Sequence, residues 1–276
     1  MSNNVKNVLS IAGSDPSGGA GIQADLKTFA ANGVYGMAAI TALTVQNTVG
    51  VEGIHLVPAN FVSSQIEAIF SDIAVSSVKV GMVANAEIAE EVGTTLAKYR
   101  NLILVVDPVM VAKGGSPLLD KRAIQAVKDN LLPLATIVTP NLPEAAILLG
   151  SSIAKSEEDM IYQGKALLNL GSKSILMKGG HSEGITSNDL LVTENNYVWF
   201  NEKRINTKNT HGTGCTLSSS IASFLARDYS VEEAVSKAKK FVTNAIRNSK
   251  NLSVGKGHGP TNHFYALEGS NKIIGE

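Results

Sequence analysis

Short apolar runs alternate along this chain with longer stretches in which apolar residues recur every three or four positions. Residues 5–12 form the first run, which ends in Gly13-Ser14-Asp15-Pro16-Ser17-Gly18-Gly19-Ala20-Gly21 before Ile22, Leu26, Phe29 and Ala30 fall at helical spacing. The pattern predicts strand, glycine loop, helix. Residues 36–45, rich in small and β-branched side chains, predict a second strand that stops at Gln46-Asn47-Thr48. Positions 49–56 alternate as an extended flap would, and 61–70 form an amphipathic helix. Strands are expected at 77–81, 102–106, 136–139 and 174–178, with helices at 87–99, 124–132 and 160–170. Segments 189–192 and 197–200 read as a hairpin, and 231–248 as a long helix with Lys237, Lys239 and Lys240 on a solvated face. A glycine-rich loop occupies 254–260. Strands alternating with helices predict an α/β chain with one doubly wound sheet and right-handed crossovers. With no repeat or linker to divide it, residues 1–276 are expected to form a single domain.

Chemistry concentrates where these elements meet. In Asn209-Thr210-His211-Gly212-Thr213-Gly214-Cys215, a small-residue turn opens directly into Leu217, Ile221, Phe224 and Leu225, an apolar helical face. The amides of Gly212 to Cys215 then crown a helix start, where unpaired N–H groups and the helix dipole attract anions. Glycines at 212 and 214 let a phosphate approach the backbone. The same field predicts a lowered pKa for the Cys215 thiol, a thiolate or proton acceptor beside a phosphoryl group. A buried, inert cysteine is the alternative reading.

In parallel α/β sheets the ligand crevice lies beyond the carboxyl ends of the strands. Gln46 stands at such an end, where its carboxamide complements an aminopyrimidine edge or is simply that of an ordinary turn glutamine. Met82 follows another, as core or pocket wall. Asp107 closes a buried strand where a metal-phosphate complex would need a carboxylate, and Lys178 closes a later one where it can pair with nucleotide phosphates or else be a surface lysine. Asn141 and Glu144 stand three apart at a strand-to-helix junction. They could hold Mg²⁺, or simply form a capping box. Asp25 lies one turn into the first helix, either aimed back at the same mouth or solvated.

Composition narrows the class further. Lysine plus arginine equals aspartate plus glutamate at 24 each, so no net field draws the chain to nucleic acid or an anionic membrane. One cysteine excludes an internal disulfide and fits a reducing compartment, and no run approaches the length of a spanning helix. A cytoplasmic protein is expected. A nucleophilic Cys215–His211 pair would be a different enzyme class, but no third group to orient the histidine is evident in the sequence. A small-molecule binding module without turnover is the other alternative.

Taken in order, segments 12–25, 41–48, 79–82, 107–114, 139–144, 178–181, 211–215 and 257–260 resemble the ribokinase-like superfamily. Within it they resemble the hydroxymethylpyrimidine/phosphomethylpyrimidine kinases of thiamine biosynthesis. The resemblance implies a three-layer αβα sandwich with a mostly parallel central sheet, and ATP-dependent phosphorylation of a hydroxymethylpyrimidine and then of its monophosphate. It implies that Gln46 hydrogen-bonds the pyrimidine, with Gly13, Asp25 and Met82 lining the pocket. Lys178, Asn141, Thr139 and Asp107 would hold ATP, Glu144 and Asp107 would hold Mg²⁺, and Gly212, Thr213 and Gly214 would form the anion hole. Cys215 stands where most of the superfamily carries a catalytic aspartate. Vitamin B6 kinases are the close alternative, against which Gln46 argues. Segments 49–56 and 110–117 are the expected lids. A homodimer is common in that family, and the resemblance leaves open a monovalent cation beside ATP and Mg²⁺.

Overall fold

The computed structural model describes residues 4–110, 119–181 and 184–267. In chain order the elements are β1 (Asn7–Ser14), α1 (Gly21–Ala31), β2 (Tyr35–Gln46), β3 (Val51–Leu56), α2 (Ala59–Asp72), β4 (Ser77–Val80), α3 (Ala86–Leu96) and β5 (Leu104–Val106). They continue with α4 (Lys121–Asn130), β6 (Ile137–Val138), α5 (Leu142–Leu149), α6 (Glu157–Leu168), β7 (Ser174–Lys178), β8 (Asp189–Thr193), β9 (Tyr197–Phe200), α7 (Thr213–Ala226) and α8 (Val231–Arg247). All nine strands join one sheet in the order β3-β2-β1-β4-β5-β6-β7-β8-β9. From β2 to β7 every pairing is parallel, while β3, β8 and β9 add antiparallel borders.

The inner strands are buried on both faces because both faces are covered, and they are mostly apolar, with Ser10 of β1 and Ser77 and Lys79 of β4 as buried polar exceptions. Leu104 and Val106 pack with Ile66, Val92, Val127 and Leu167 from the α2–α6 layer, while Val105 between them packs with Phe29, Leu217 and Val235 from α1, α7 and α8. The three layers expected from the resemblance follow from this two-residue alternation.

Several boundaries differ from the sequence reading for local reasons. β1 runs through Gly13 to Ser14 rather than stopping at Ala12, with an irregularity in its pairing to β2 between Ala12 and Ser14. The glycine thereby turns the strand end without breaking it. α6 begins at Glu157 because Ser156 and Asp159 form a capping box ahead of the first apolar position. Segment 49–56 contributes β3, hydrogen-bonded to the outer half of β2, so it is a sheet border rather than a separate flap. Beyond Met110, the expected lid at 110–117 lies outside the described residues. Lys239 is a correction. It is 7% exposed and its ammonium lies 2.7 Å from Asp189 Oδ2, whose other oxygen accepts the Gly179 N–H, so α8 anchors the turn after β7 and does not expose this lysine to solvent.

Candidate active site

The chain leaves β1 toward β2 on one side and β4 on the other, so the gap between the ends of β1 and β4 is a topological switch point. There Gly13 meets Met82: a side chain at 13 would collide with the methionine methyl. Thr41 Oγ1 donates to the Met82 carbonyl at 2.6 Å and fixes this wall to β2. Gln46, at the end of β2, brings its carboxamide within 3.4 Å of His211 Nε2. That ring nitrogen also lies 2.8 Å from Asp15 Oδ2. Because a carboxylate only accepts, the proton on Nε2 points at Asp15, and a second donor cannot face the same nitrogen. Thr44 Oγ1 contacts both the Ser14 carbonyl at 2.9 Å and the Gln46 amide at 3.1 Å, with one proton to give. Both conflicts vanish when the Gln46 oxygen faces His211 and its NH₂ faces Thr44.

A charged cluster lies at the ends of β5, β6 and β7. Lys178 Nζ sits 2.8 Å from Asp107 Oδ1 and 3.8 Å from Glu144 Oε2. Asp107 also accepts from Thr139 Oγ1 and Ser218 Oγ, each at 3.2 Å. Burial alone would raise the Asp107 carboxyl, but the charges of Lys178, then Lys79, and the hydrogen bonds from Lys178 and Ser218 hold it below the usual range. Asn141 caps α5 and forms a capping box with Glu144. The backbone of Lys178 bridges to Asn141. The capping-box reading is what the structure shows, and the cap, which uses Glu144 Oε2, places the same carboxylate beside Lys178. Burial pushes the Glu144 carboxyl up to about 7, with Asp107 adding and Lys178 opposing.

The sign of that shift makes a prediction. A proton held more tightly in the folded state stabilises it below the ordinary value of 4.5, and the benefit disappears as pH rises to about 7. Relative to Glu144→Gln, the ligand-free protein should lose stability between those limits. Urea midpoints at pH 5 and pH 8 that differ equally in both proteins would contradict it.

The helix start joins this cluster. Gly212 caps α7 with φ of 77°, and a side chain there would strike the Gly19 carbonyl, so only glycine serves. Thr213 Oγ1 donates to the Thr210 carbonyl at 2.8 Å. A methyl at Gly214 would stand 3.5 Å from both Asp107 Oδ2 and Lys178 Nζ. Cys215 receives the Gly21 N–H, so the beginnings of α1 and α7 converge on its sulfur. The expected acidic thiol is nonetheless corrected. Burial pushes Cys215 up to about 11, and Asp25 and Asp107 add to this against Lys79 and the amide.

Asp25 is also corrected. It has no exposed surface and lies beneath the cleft, not solvated at its mouth. Its oxygens are 3.0 and 2.8 Å from Lys79 Nζ, itself fully buried, and accept from Ser10 Oγ and Ser219 Oγ at 2.6 Å each. Burial opposes the charge on Lys79, yet Asp25, Cys215 and Asp107 together raise its pKa above the lysine range. The sequence reading gave Lys79, Ser218, Ser219 and Asp15 no role. A lysine among Val78, Val80 and Gly81 in an apolar strand was the available signal, since a buried ammonium requires a partner.

The Cys–His hydrolase alternative gains an orienting carboxylate, Asp15, but loses its premise. His211 Nε2 is taken by Asp15, and a thiol displaced upward is the reverse of an activated nucleophile. Among the described residues no cluster of three or more His, Cys, Asp or Glu is arranged to hold a metal by itself. A separate cavity of about 320 Å³ between α5 and α6, lined by Leu149, Ile153, Tyr162 and Gln163, contains none of the residues above. No helix among the described residues is long and apolar enough to cross a membrane.

The family pattern described as phosphomethylpyrimidine kinase matches residues 15–262. A hydroxymethylpyrimidine/phosphomethylpyrimidine kinase of Salmonella typhimurium is 48% identical, over 94% of this chain and 98% of its own. The longer thiamine biosynthesis bifunctional protein ThiED of Geobacter sulfurreducens is 50% identical over 95% of this chain and 53% of its own. Among solved structures, a pyridoxal kinase of Bacillus subtilis in complex with ADP superposes with a TM-score of 0.88 at 34% identity, covering 96% of this chain and 100% of that one.

Proposed function

We infer the reaction from one premise: the chain belongs to the phosphomethylpyrimidine kinase family. The protein transfers the γ-phosphate of ATP to the hydroxymethyl group of 4-amino-5-hydroxymethyl-2-methylpyrimidine, and then a second phosphate to the monophosphate, in thiamine biosynthesis. It does so as one kinase domain over residues 1–276, in the cytoplasm. The observation that carries this reading is the approach of the Gly214 turn to the Lys178–Asp107 pair, which sets an amide-lined helix start against a fixed ammonium. Two such devices on one cleft suit a polyphosphate.

The roles follow from position. Gln46 reads the pyrimidine edge, with Gly13 and Met82 as its wall. Lys178, Thr139 and Asn141 hold the nucleotide phosphates, and the Gly212, Thr213 and Gly214 amides stabilise charge on the transferring group. Asp107 and Glu144, both hard oxygen donors, would hold Mg²⁺, which would supply neutralisation of phosphate charge when bound. A Glu144 carboxyl displaced to about 7 ionises readily beside such a charge. Cys215 accepts the hydroxyl proton in the first transfer, from its minor thiolate form.

Measuring ADP release with hydroxymethylpyrimidine, its monophosphate or pyridoxine as acceptor tests the reading. Turnover with pyridoxine alone would replace it with vitamin B6 salvage. Gln46→Met should weaken the aminopyrimidine by on the order of tenfold, the scale of one lost polar contact, and leave pyridoxine little affected. An unchanged preference would remove Gln46 from specificity.

A homodimer belongs to the same reading. Leu43, Val45, Val51, Ile54 and Leu56 on the β2–β3 border are each at least 36% exposed, with Phe61 at 61% beside them. An apolar border strand of this kind needs a cover. Val45→Lys combined with Ile54→Lys should yield monomers by light scattering if that cover is a second copy.

A further inference from the structure

The glycine-rich tail has no part in the reaction as derived so far, yet it is bound to both halves of the cleft. Gly257 and His258 donate their N–H groups to Thr48 Oγ1 and the Thr48 carbonyl at 3.2 and 2.9 Å, just beyond Gln46. On the other side the His211 N–H donates to the Gly259 carbonyl at 3.0 Å, and Thr261 donates back to the His211 carbonyl at 3.3 Å. Side chains at Gly257 or Gly259 would strike Thr48 or Asn209, so the strap lies flush against both. It ends in Thr261, Asn262 and His263, all at most 2% exposed.

His263 Nε2 is 2.8 Å from Thr216 Oγ1. The same hydroxyl is 2.8 Å from the Gly212 carbonyl, which also accepts the Thr216 N–H at 2.8 Å. A hydroxyl has one proton and a carbonyl none, so Thr216 donates to Gly212 and His263 donates to Thr216. Burial, and secondarily Lys27, push the imidazole down to about 4, consistent with a neutral ring carrying its proton on Nε2. The peptide joining Gly212 to Thr213 is planar and trans, so holding its carbonyl along the helix also fixes its N–H, which donates to the Thr210 carbonyl at 3.4 Å, and with it the orientation of the turn that carries the following amides.

We propose that His263 is a positioning residue of the anion hole, acting through Thr216 on the Gly212 carbonyl to hold the Gly212, Thr213 and Gly214 turn in place. The assignment rests on the reading that this turn stabilises the transferring phosphoryl group. Because both transfers use the same turn, both depend on His263 alike. Its direct contact runs to Thr216 and from there to the Gly212 carbonyl, so it governs turnover rather than acceptor affinity.

The test uses the full chain with His263→Ala, His263→Gln and Thr216→Val. For His263→Ala we expect kcat to fall about tenfold with hydroxymethylpyrimidine and with its monophosphate, and acceptor KM to stay within about twofold, the loss of one buried neutral hydrogen bond. Glutamine keeps an N–H donor and should recover most of the rate, while Thr216→Val should reproduce the loss. Hydrogen exchange gives a second reading that needs no turnover: the Thr216 amide should exchange about tenfold faster in His263→Ala, with core amides of α8 unchanged. An unchanged kcat, a loss confined to one acceptor, or a glutamine variant as impaired as alanine would overturn the proposal. If His263→Ala does not fold, His263→Gln and Thr216→Val decide it. If the wild-type protein turns over neither acceptor, the functional reading fails, and the exchange comparison still decides whether His263 holds the turn.

Discussion

Cys215→Ala is expected to slow transfer to the hydroxymethyl group by on the order of 10²-fold, the low end of general-base contributions, and to slow transfer to the monophosphate far less. The asymmetry follows from the acceptors. An alcohol must lose a proton as it bonds to phosphorus, whereas a phosphate monoester is already ionised near neutral pH. The displaced thiol adds a pH signature. Below its pKa of about 11 the thiolate fraction rises tenfold per pH unit, so the first transfer in the wild-type enzyme should accelerate with pH across the neutral range. The second transfer, and the first in Cys215→Ala, should lack that slope. Single-turnover rates with each acceptor between pH 6.5 and 9.5 are the measurement. Equal losses in both steps, or an unchanged slope in the variant, would assign the sulfur to packing or substrate contact.

The largest effect on stability is expected from Lys79→Met. Lys79 and Asp25 are both inaccessible to solvent, so removing the ammonium leaves a carboxylate in the interior with Ser10 and Ser219 as its remaining hydrogen-bond donors among the described residues. Breaking a buried pair on one side costs about 3–5 kcal/mol. In a chain of this size the corresponding drop in Tm is on the order of 10 °C. Adding Asp25→Asn removes the stranded charge while keeping an acceptor for the serines, and most of the loss should return. Thermal unfolding of the wild type, the single and the double variant decides it. A double variant as unstable as the single would mean that Lys79 contributes packing rather than charge balance.

Much of the architecture was legible because it depends on local periodicity. The apolar runs that became β1, β4, β5 and β7 each end in residues with chemistry, and the end of a strand is visible in the sequence when an apolar run stops at Gln46, Asp107 or Lys178. The turn at Gly212 was legible for the same reason. What escaped depends on partners remote in sequence. The helix-start field at Cys215 could be read locally, but the burial and the two carboxylates that outweigh it come from packing of α1, β5 and α7. Asp25 could be read from its own helix as aimed at the cleft mouth or as solvated, and neither reading contained its buried partner Lys79 on β4. Lys239 sat in a basic run whose neighbours are solvated, and only the pairing of β7 with β8 brings Asp189 beneath it.

The strap has a consequence for biosynthesis. Every strand of the sheet and the whole of α7 leave the ribosome before residue 257, so a nascent chain can organise its layers early. The amide cradle stays unlatched until His263 emerges and seats against Thr216. Partly made copies of this enzyme would therefore be folded in outline but slower by about the tenfold that one buried hydrogen bond sets, reaching full turnover only once the strap has emerged and seated.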